Sequence, residues 1–438
     1  MRRPTTARRF AVASLALSAA LLLATAACAR PPSNATAASQ ETVGVDAADM
    51  SFVQSYVGYA PGKIDPQKKP ITIGFTSQQG GQQQFPESAA GFEATVKFMN
   101  DEYGGFDGHR INLQECFIQA EEDGQRCATE FVNNAVDIVV KGITVLGADS
   151  FVATINGRMP IYSPSFVVPA DSAGKDVYTA NPGSLRLVAQ ADIIRRQFPA
   201  ARNIALIYQD NPSGKAAYQL LVQRLQKFGD LAMKGVPVAD TATATDITSA
   251  LQSAGGSTAD VVIPVATSAL CIALAEGMQS LGITHASVVA TSNCYADPVL
   301  DKFGGQLPEG WYFIDNGVNP YVVDSASGTH LFKALMQQHP VGKKFSHAGY
   351  ALDSFGTVLH IAKLVHQIGP DAVTPDAFRT ALRDYKGPVV GRAGDFDCGA
   401  TKGFPALCMN NVGLSQWKDG KMVAIASAQS GEAIKVVP

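Results

Sequence analysis

Charge is scarce in this sequence, and catalytic signatures are absent. Charged residues are 17% of 438 and the formal net charge is -3, so no basic field exists to gather nucleic acid. There is no Gly-x-Ser-x-Gly elbow and no His-Glu-x-x-His, which removes the usual signs of a serine or zinc hydrolase. No Cys-x-x-Cys or His-x-x-x-His occurs and the seven His are scattered, so neither a metal nor another cofactor is expected. Asn211-Pro212-Ser213-Gly214-Lys215 ends like a phosphate loop, but Gln209 replaces its first Gly and Ala216 its Ser or Thr. Ser172-Ala173-Gly174-Lys175 fits Ser-x-x-Lys without a partner motif. Beyond the first 27 residues no run of 18 apolar residues exists to span a bilayer.

What is present begins with an export segment. Arg2, Arg3, Arg8 and Arg9 precede the uncharged stretch Phe10 to Ala27, which ends in Thr25-Ala26-Ala27-Cys28. Small residues before a Cys resemble a bacterial lipobox, with Thr25 where Leu is commonest. Residues 1–27 are therefore expected to be a signal peptide and Cys28 the lipid-carrying mature N-terminus. A simple signal peptide cleaved nearby is the alternative, and Arg8-Arg9 leaves Sec and twin-arginine export both open. Removing 1–27 leaves 31 Lys and Arg against 38 Asp and Glu, a poor surface for nucleic acid or acidic lipid. A DNA-binding regulator would need a helix-turn-helix where the export segment stands.

Six cysteines remain, in three local couples: Cys116/Cys127, Cys271/Cys294 and Cys398/Cys408. An even count in an exported chain favours disulfides, and locality favours this pairing among the 15 possible.

Hydrophobic residues are 46%, an ordinary core-forming share, and the length suits two or three globular units. Ala, Ser, Thr and Pro dominate residues 29–50, which read as a flexible tether, with regular structure starting near Ile71. β-prone runs then recur at Ile71–Phe75, Ile111–Phe117, Val136–Val140, Pro160–Ser163, Ile204–Tyr208, Asp260–Val265 and Ser287–Ala290. Helical spacing lies between them: Ala89, Phe92, Val96 and Met99; Ala217, Leu220, Leu221 and Leu225; Leu270, Leu274 and Met278. Such alternation predicts parallel sheets covered by helices, with too many strands for one sheet.

The strand, polar loop, helix and Gly104-Gly105-Phe106-Asp107-Gly108-His109 turn resemble the opening of branched-chain-amino-acid-type solute-binding proteins. Ile161-Tyr162-Ser163-Pro164-Ser165 resembles that family's strand ending in Ser-Pro. Tyr350-Ala351-Leu352-Asp353-Ser354 resembles its Tyr-Asp-Ala helix start with one residue inserted. Gly387-Pro388 and Trp417-Lys418-Asp419-Gly420-Lys421 match its late hairpin features. The resemblance covers roughly 70–438. It implies an α/β chain of two Rossmann-like lobes joined by three crossings, the type I periplasmic binding fold. Residues 28–66 would be a lipid-anchored tether, 70–181 and 316–388 lobe one, and 182–315 and 389–438 lobe two, with crossings near Asn181, Asp315 and Pro388.

The resemblance places ligand contacts on loops after strands. The first loop offers Gln78, Gln83, Gln84 and Phe85. Amino-acid-binding relatives hold the ligand carboxylate where Leu146 and Val167 stand here, neither able to donate a side-chain hydrogen bond. Gly147, Ser165 and Phe166 lie nearby. On lobe two the expected contacts are Ser213, Thr267, Asn293 and Tyr295, with no acid in Thr291-Ser292-Asn293-Cys294-Tyr295 where relatives keep one for the ammonium. The expected function is capture of a small organic molecule, neutral or aromatic rather than a simple amino acid, by a monomeric, lipid-anchored protein that delivers it to an ABC permease. An amino-acid binder, a sensory component of a membrane receptor and an exported hydrolase are the alternatives, the last disfavoured by the missing nucleophile motifs.

Overall fold

Short, continuously buried strands alternate with helices, and the chain sorts them into two sheets. The computed structural model describes residues 43–80, 84–239, 241–322, 325–426 and 434–435. The export segment, Cys28 and Gln83 lie outside the described residues, as does the Ser213 side chain.

The first sheet has the order β2-β1-β3-β4-β5, all parallel. Its strands are β1 (Ile71–Gln78), β2 (Ile111–Ile118), β3 (Ile138–Lys141), β4 (Ile161–Ser163) and β5 (Val177–Thr179). The second sheet uses β6 (Asn203–Gln209), β7 (Ala232–Val238), β8 (Val261–Val265), β9 (Ser287–Thr291) and β10 (Tyr312–Asp315). A ribbon of β11 (Gly387–Pro388) and β12 (Asp395–Phe396) follows. Then β13 (Asn411–Lys418) and β14 (Lys421–Ala426) extend the second sheet in the order β14-β13-β10-β9-β8-β6-β7, with β15 (Ile434–Lys435) beside β13. β13 enters antiparallel to β10.

Each sheet is covered on both faces, which is why β1, β3 and β8 are almost wholly buried. Helices Pro86–Phe98 and Gly349–Ile368 cover one face of the first sheet with Phe92, Val96, Phe355 and Val358. Burying each such large apolar side chain stabilises by about 1.5–3 kcal/mol. The two helices approach closely because residue 91 is Gly: a Cβ there would sit 2.2 Å from the Ala351 carbonyl oxygen. Helices Asp123–Asn133 and Ala148–Ile155 cover the other face. In the second lobe, helices Ala244–Ser253 and Ser268–Ser280 lie opposite Arg186–Gln197 and Pro212–Gln226.

Two expectations about the chain path need correction. Among the described residues regular structure begins at Ala47, not near Ile71. Helix Ala47–Val57 starts with an Asp46/Asp49 capping box, stops at left-handed Gly58, and buries Val53 and Val57 in the first lobe's core. The third crossing also runs longer than a switch at Pro388. Val389, Val390, Phe396, Cys408 and Met409 still pack with the first lobe, and the second sheet is entered only at β13.

The three crossings meet at one buried carboxylate. Asp353, in the first turns of helix Gly349–Ile368, accepts from Asn181 Nδ2 at 2.8 Å and from Asn316 Nδ2 at 3.3 Å. It also pairs with Arg392. Arg392 donates to the Asp353 and Pro164 carbonyls at 2.8 and 3.2 Å. Asn181, Asn316 and Arg392 each sit at a different crossing, and all are buried. Burial alone pulls the Arg392 guanidinium down to about 10. The structure bonds Cys116–Cys127, Cys271–Cys294 and Cys398–Cys408.

Candidate functional site

In open α/β sheets ligands gather outside the carboxyl ends of the strands. Here a cavity of about 300 Å³ opens between the lobes at that level, the lower end of the range for small-molecule sites. A larger depression of about 940 Å³ lies on lobe one, beside helix Pro375–Asp384. It is a surface groove away from both sets of strand ends.

The cavity is assembled from helix starts. Gln84, Phe85 and Glu87 come from the start of helix Pro86–Phe98, and Thr267 and Ser268 from the start of Ser268–Ser280. Ser292, Asn293 and Asp297 follow β9, while Lys344, Phe345 and Tyr350 lie before and within the start of Gly349–Ile368. The Phe85 and Tyr350 rings meet edge to face at 5.7 Å. Asn293 is held by two bonds: its Nδ2 donates to the Ala266 carbonyl at 3.1 Å, and its own carbonyl accepts from Ser268 at 2.7 Å. The Cys271–Cys294 bridge ties the same turn to helix Ser268–Ser280. Of the residues expected from sequence, Gln84, Phe85, Thr267 and Asn293 are brought together here.

The others whose side chains are described lie elsewhere. Tyr295 is 1% exposed, packs edge-on against Phe313 and shares a hydrogen bond with Asp315. Phe166 is buried against Phe404 near the first crossing. Gln78, Leu146, Gly147, Ser165 and Val167 do cluster at the ends of β1, β3 and β4, but the chain itself uses their donors. Gln78 Oε1 accepts from the Val145 and Leu146 amides at 2.8 and 3.0 Å. Glu121 Oε2 accepts from Gly147 at 2.9 Å. Asp171 Oδ2 accepts from Val167 and Val168 at 2.9 and 3.1 Å. Fully buried Lys141 neutralises Asp171 at 2.9 Å. Ser165 Oγ donates to Asn181 Oδ1 at 2.8 Å. An incoming carboxylate would have to displace a side chain that the protein already supplies.

Sequence reading missed the cavity's acids. Asp297 stands just beyond the five-residue stretch that contains none, and its Oδ1 lies 2.5 Å from His347 Nδ1. Glu87 is half-buried, and burial pushes its carboxyl up to about 7. A start-of-helix acid is a recognisable signal, but placing it on a cavity wall requires the packing. Asp46, Asp49 and His330 also lie close enough to hold a cation. Their bonds serve the cap of helix Ala47–Val57 and the 2.8 Å His330–Asp49 pair.

The chain matches the family profile described as periplasmic binding protein over residues 70–421. It belongs to that family. Solved structures of periplasmic binding proteins share its fold at low identity. A solute-binding protein of an ABC transporter from Rhodopseudomonas palustris HaA2, in complex with p-hydroxybenzoic acid, is 15% identical with a TM-score of 0.66, covering 84% of this chain and 98% of that one. The branched-chain amino acid transporter substrate-binding protein of Streptococcus pneumoniae, in complex with isoleucine, is 16% identical with a TM-score of 0.63, covering 84% and 100%. An ABC transporter substrate-binding protein from Sphaerobacter thermophilus gives 15%, 0.65, 84% and 99%. No curated protein sequence matches the chain. The periplasmic binding protein fold observed here is thus the two-lobed, three-crossing architecture that the family resemblance implied, and no described helix is long and apolar enough to cross a membrane.

Proposed function

We propose that this periplasmic binding protein is the solute-binding component of an ABC importer. It captures a small organic molecule, neutral or aromatic rather than a simple amino acid, and performs no chemistry. The observations that carry this are the interlobe cavity walled by Phe85, Phe345 and Tyr350 and, at the ends of the first sheet's strands, loops whose amide donors are already bonded to Gln78, Glu121 and Asp171. Binding works by preferring the closed state of two lobes hinged at Asp353, and the permease reads closure. Gln83, and Ser213 after β6, remain proposed contacts at the mouth.

Export by residues 1–27, acylation of Cys28 and action as a monomer on the outer face of the cytoplasmic membrane complete the proposal. Its support is the Arg-rich start, the apolar run and Ala26-Ala27-Cys28. Mass spectrometry of the membrane fraction should find a diacylated Cys28 peptide, and an unmodified Cys28 inside a longer mature chain would refute this part.

Calorimetry on protein stripped of solute by unfolding and refolding tests the ligand class. Leaving a buried charge without its partner costs about 3–5 kcal/mol, and each 1.4 kcal/mol is about tenfold in affinity. A loss of about 4 kcal/mol would move a micromolar site to roughly the millimolar range, so leucine, isoleucine and valine are expected to bind weakly or not at all. Low-micromolar binding of any of them overturns the exclusion of simple amino acids.

A further inference from the structure

Most polar side chains around this cleft are already engaged. Asp297 gives Oδ1 to His347 and keeps a buried Oδ2 without a hydrogen-bond partner, Asn293 is taken by Ala266, and Gln78, Glu121 and Asp171 by backbone amides. Glu87 differs. Among the described residues it forms no ion pair and no hydrogen bond to another side chain, its carboxyl accepting only from its own backbone N–H. Yet it is half-buried in the cavity wall, beside the Phe85 and Tyr350 rings.

An acid in a helix's first turn is ordinary, because the dipole favours negative charge there. That explains the residue type and not its burial, since a solvated position would give the same benefit without desolvation. A half-buried carboxyl bonded only to its own N–H has acceptor capacity left for a donor that a ligand brings. The lobe-one loops after β1, β3 and β4 offer little to an acidic ligand. Their amides are used, Lys141 is locked to Asp171 at 2.9 Å, and the remaining cavity cation, Lys344, is exposed and solvent-screened.

We propose that the solute presents a nitrogen-borne hydrogen-bond donor, an amide, amine or amidine N–H, to the Glu87 carboxyl, and offers no carboxylate to lobe one. The ring or apolar body of the solute lies against Phe85 and Tyr350. Glu87 accepts in either protonation state, through two oxygens when ionised and through its carbonyl oxygen when protonated. The role is recognition only, and no bond is made or broken. This rests on reading the interlobe cavity as the solute site.

Three ring-matched probes test it by calorimetry on the stripped full chain: benzamide, benzamidine and benzoate. Benzamide or benzamidine should bind at least tenfold tighter than benzoate. Glu87→Gln should weaken benzamidine at least tenfold without weakening benzoate, with thermal unfolding used to confirm that the variant is folded. Benzoate binding as tightly as both nitrogen probes, or unchanged benzamidine affinity in the variant, overturns the donor assignment while leaving a solute-binding cleft intact. The solute released from native protein on denaturation, identified by mass spectrometry, should carry an N–H group, and one without any overturns the assignment independently. A native protein that releases no solute, and gives no heat with these probes or with a panel of aliphatic amides, amines and acids, overturns the solute-site reading as well.

Discussion

His347 and Asp297 meet across the cleft, Nδ1 to Oδ1 at 2.5 Å, each from a different lobe. His347 precedes the helix that packs on lobe one, whereas Asp297 follows β9 of the second sheet. Tyr321 stacks on the imidazole at 4.1 Å between ring centres and donates to the Tyr295 carbonyl at 2.6 Å. Asp297 lines the cavity, so the pair joins the two lobes at its border.

A hydrogen bond to a charged group contributes about 1.5–3 kcal/mol, or roughly 10- to 100-fold in affinity. His347→Ala should weaken solute binding within that range and enlarge the radius of gyration of the solute-free protein in small-angle scattering. Unchanged values for both would show that the pair does not latch the lobes.

Glu87 makes stability depend on pH. Its carboxyl titrates near 4.5 when exposed and at about 7 in the fold, so the folded protein holds this proton more tightly than the unfolded chain. The corresponding stability is fully present below about pH 4.5 and disappears as pH rises through 7. Glu87→Gln, which stays neutral, should match the wild type near pH 4 and exceed it at pH 8, by up to about 3 kcal/mol. Denaturant unfolding at the two pH values decides it; equal stabilities at pH 8 would contradict the assignment.

Asp353 should behave as the keystone of the crossings. Asp353→Ala leaves Arg392 buried without its partner, a loss of about 3–5 kcal/mol. Adding Arg392→Met should restore part of that stability, because the uncompensated charge is gone. Failure of the second substitution to recover anything would mean that the carboxylate acts through Asn181 and Asn316 instead.

The disulfides should separate stability from binding. Cys271 and Cys294 close a 23-residue separation and Cys398 and Cys408 one of 10, so each bridge is worth about 3 kcal/mol in the chain-entropy account. Replacing Cys271 and Cys294 by Ser should also weaken solute binding, since Asn293 sits beside Cys294. Replacing Cys398 and Cys408 should lower stability alone. Equal effects on binding from both pairs would argue against a local role for the first.

Legibility followed burial. β1, β3 and β8 show as apolar runs because both faces of their sheets are covered. β7 escaped notice because it is an edge strand, half-exposed and interrupted by Gly235 and Pro237. Helix Ala47–Val57 escaped because its composition resembles the tether before it, although Asp46, Asp49 and Gly58 were readable end signals. Around the interlobe cavity, the positions of Phe85, Thr267 and Asn293 came from the family resemblance, whereas Phe166 and Tyr295 went to the core. An aromatic after a strand carries no mark of which way it faces.

By itself the sequence determined the alternation of buried strands and helices, the local pairing of six cysteines and the absence of catalytic motifs. These are properties of neighbouring residues, set by periodicity and spacing. Only the tertiary structure decided which donors remained for a ligand. Gly147 is satisfied by Glu121, Leu146 by Gln78, and Asp353 collects groups from 37 to 172 positions away. A hydrogen bond is settled by distance and direction in space, so whether an amide is offered to a solute or already used is decided only when the sheets and their loops have packed.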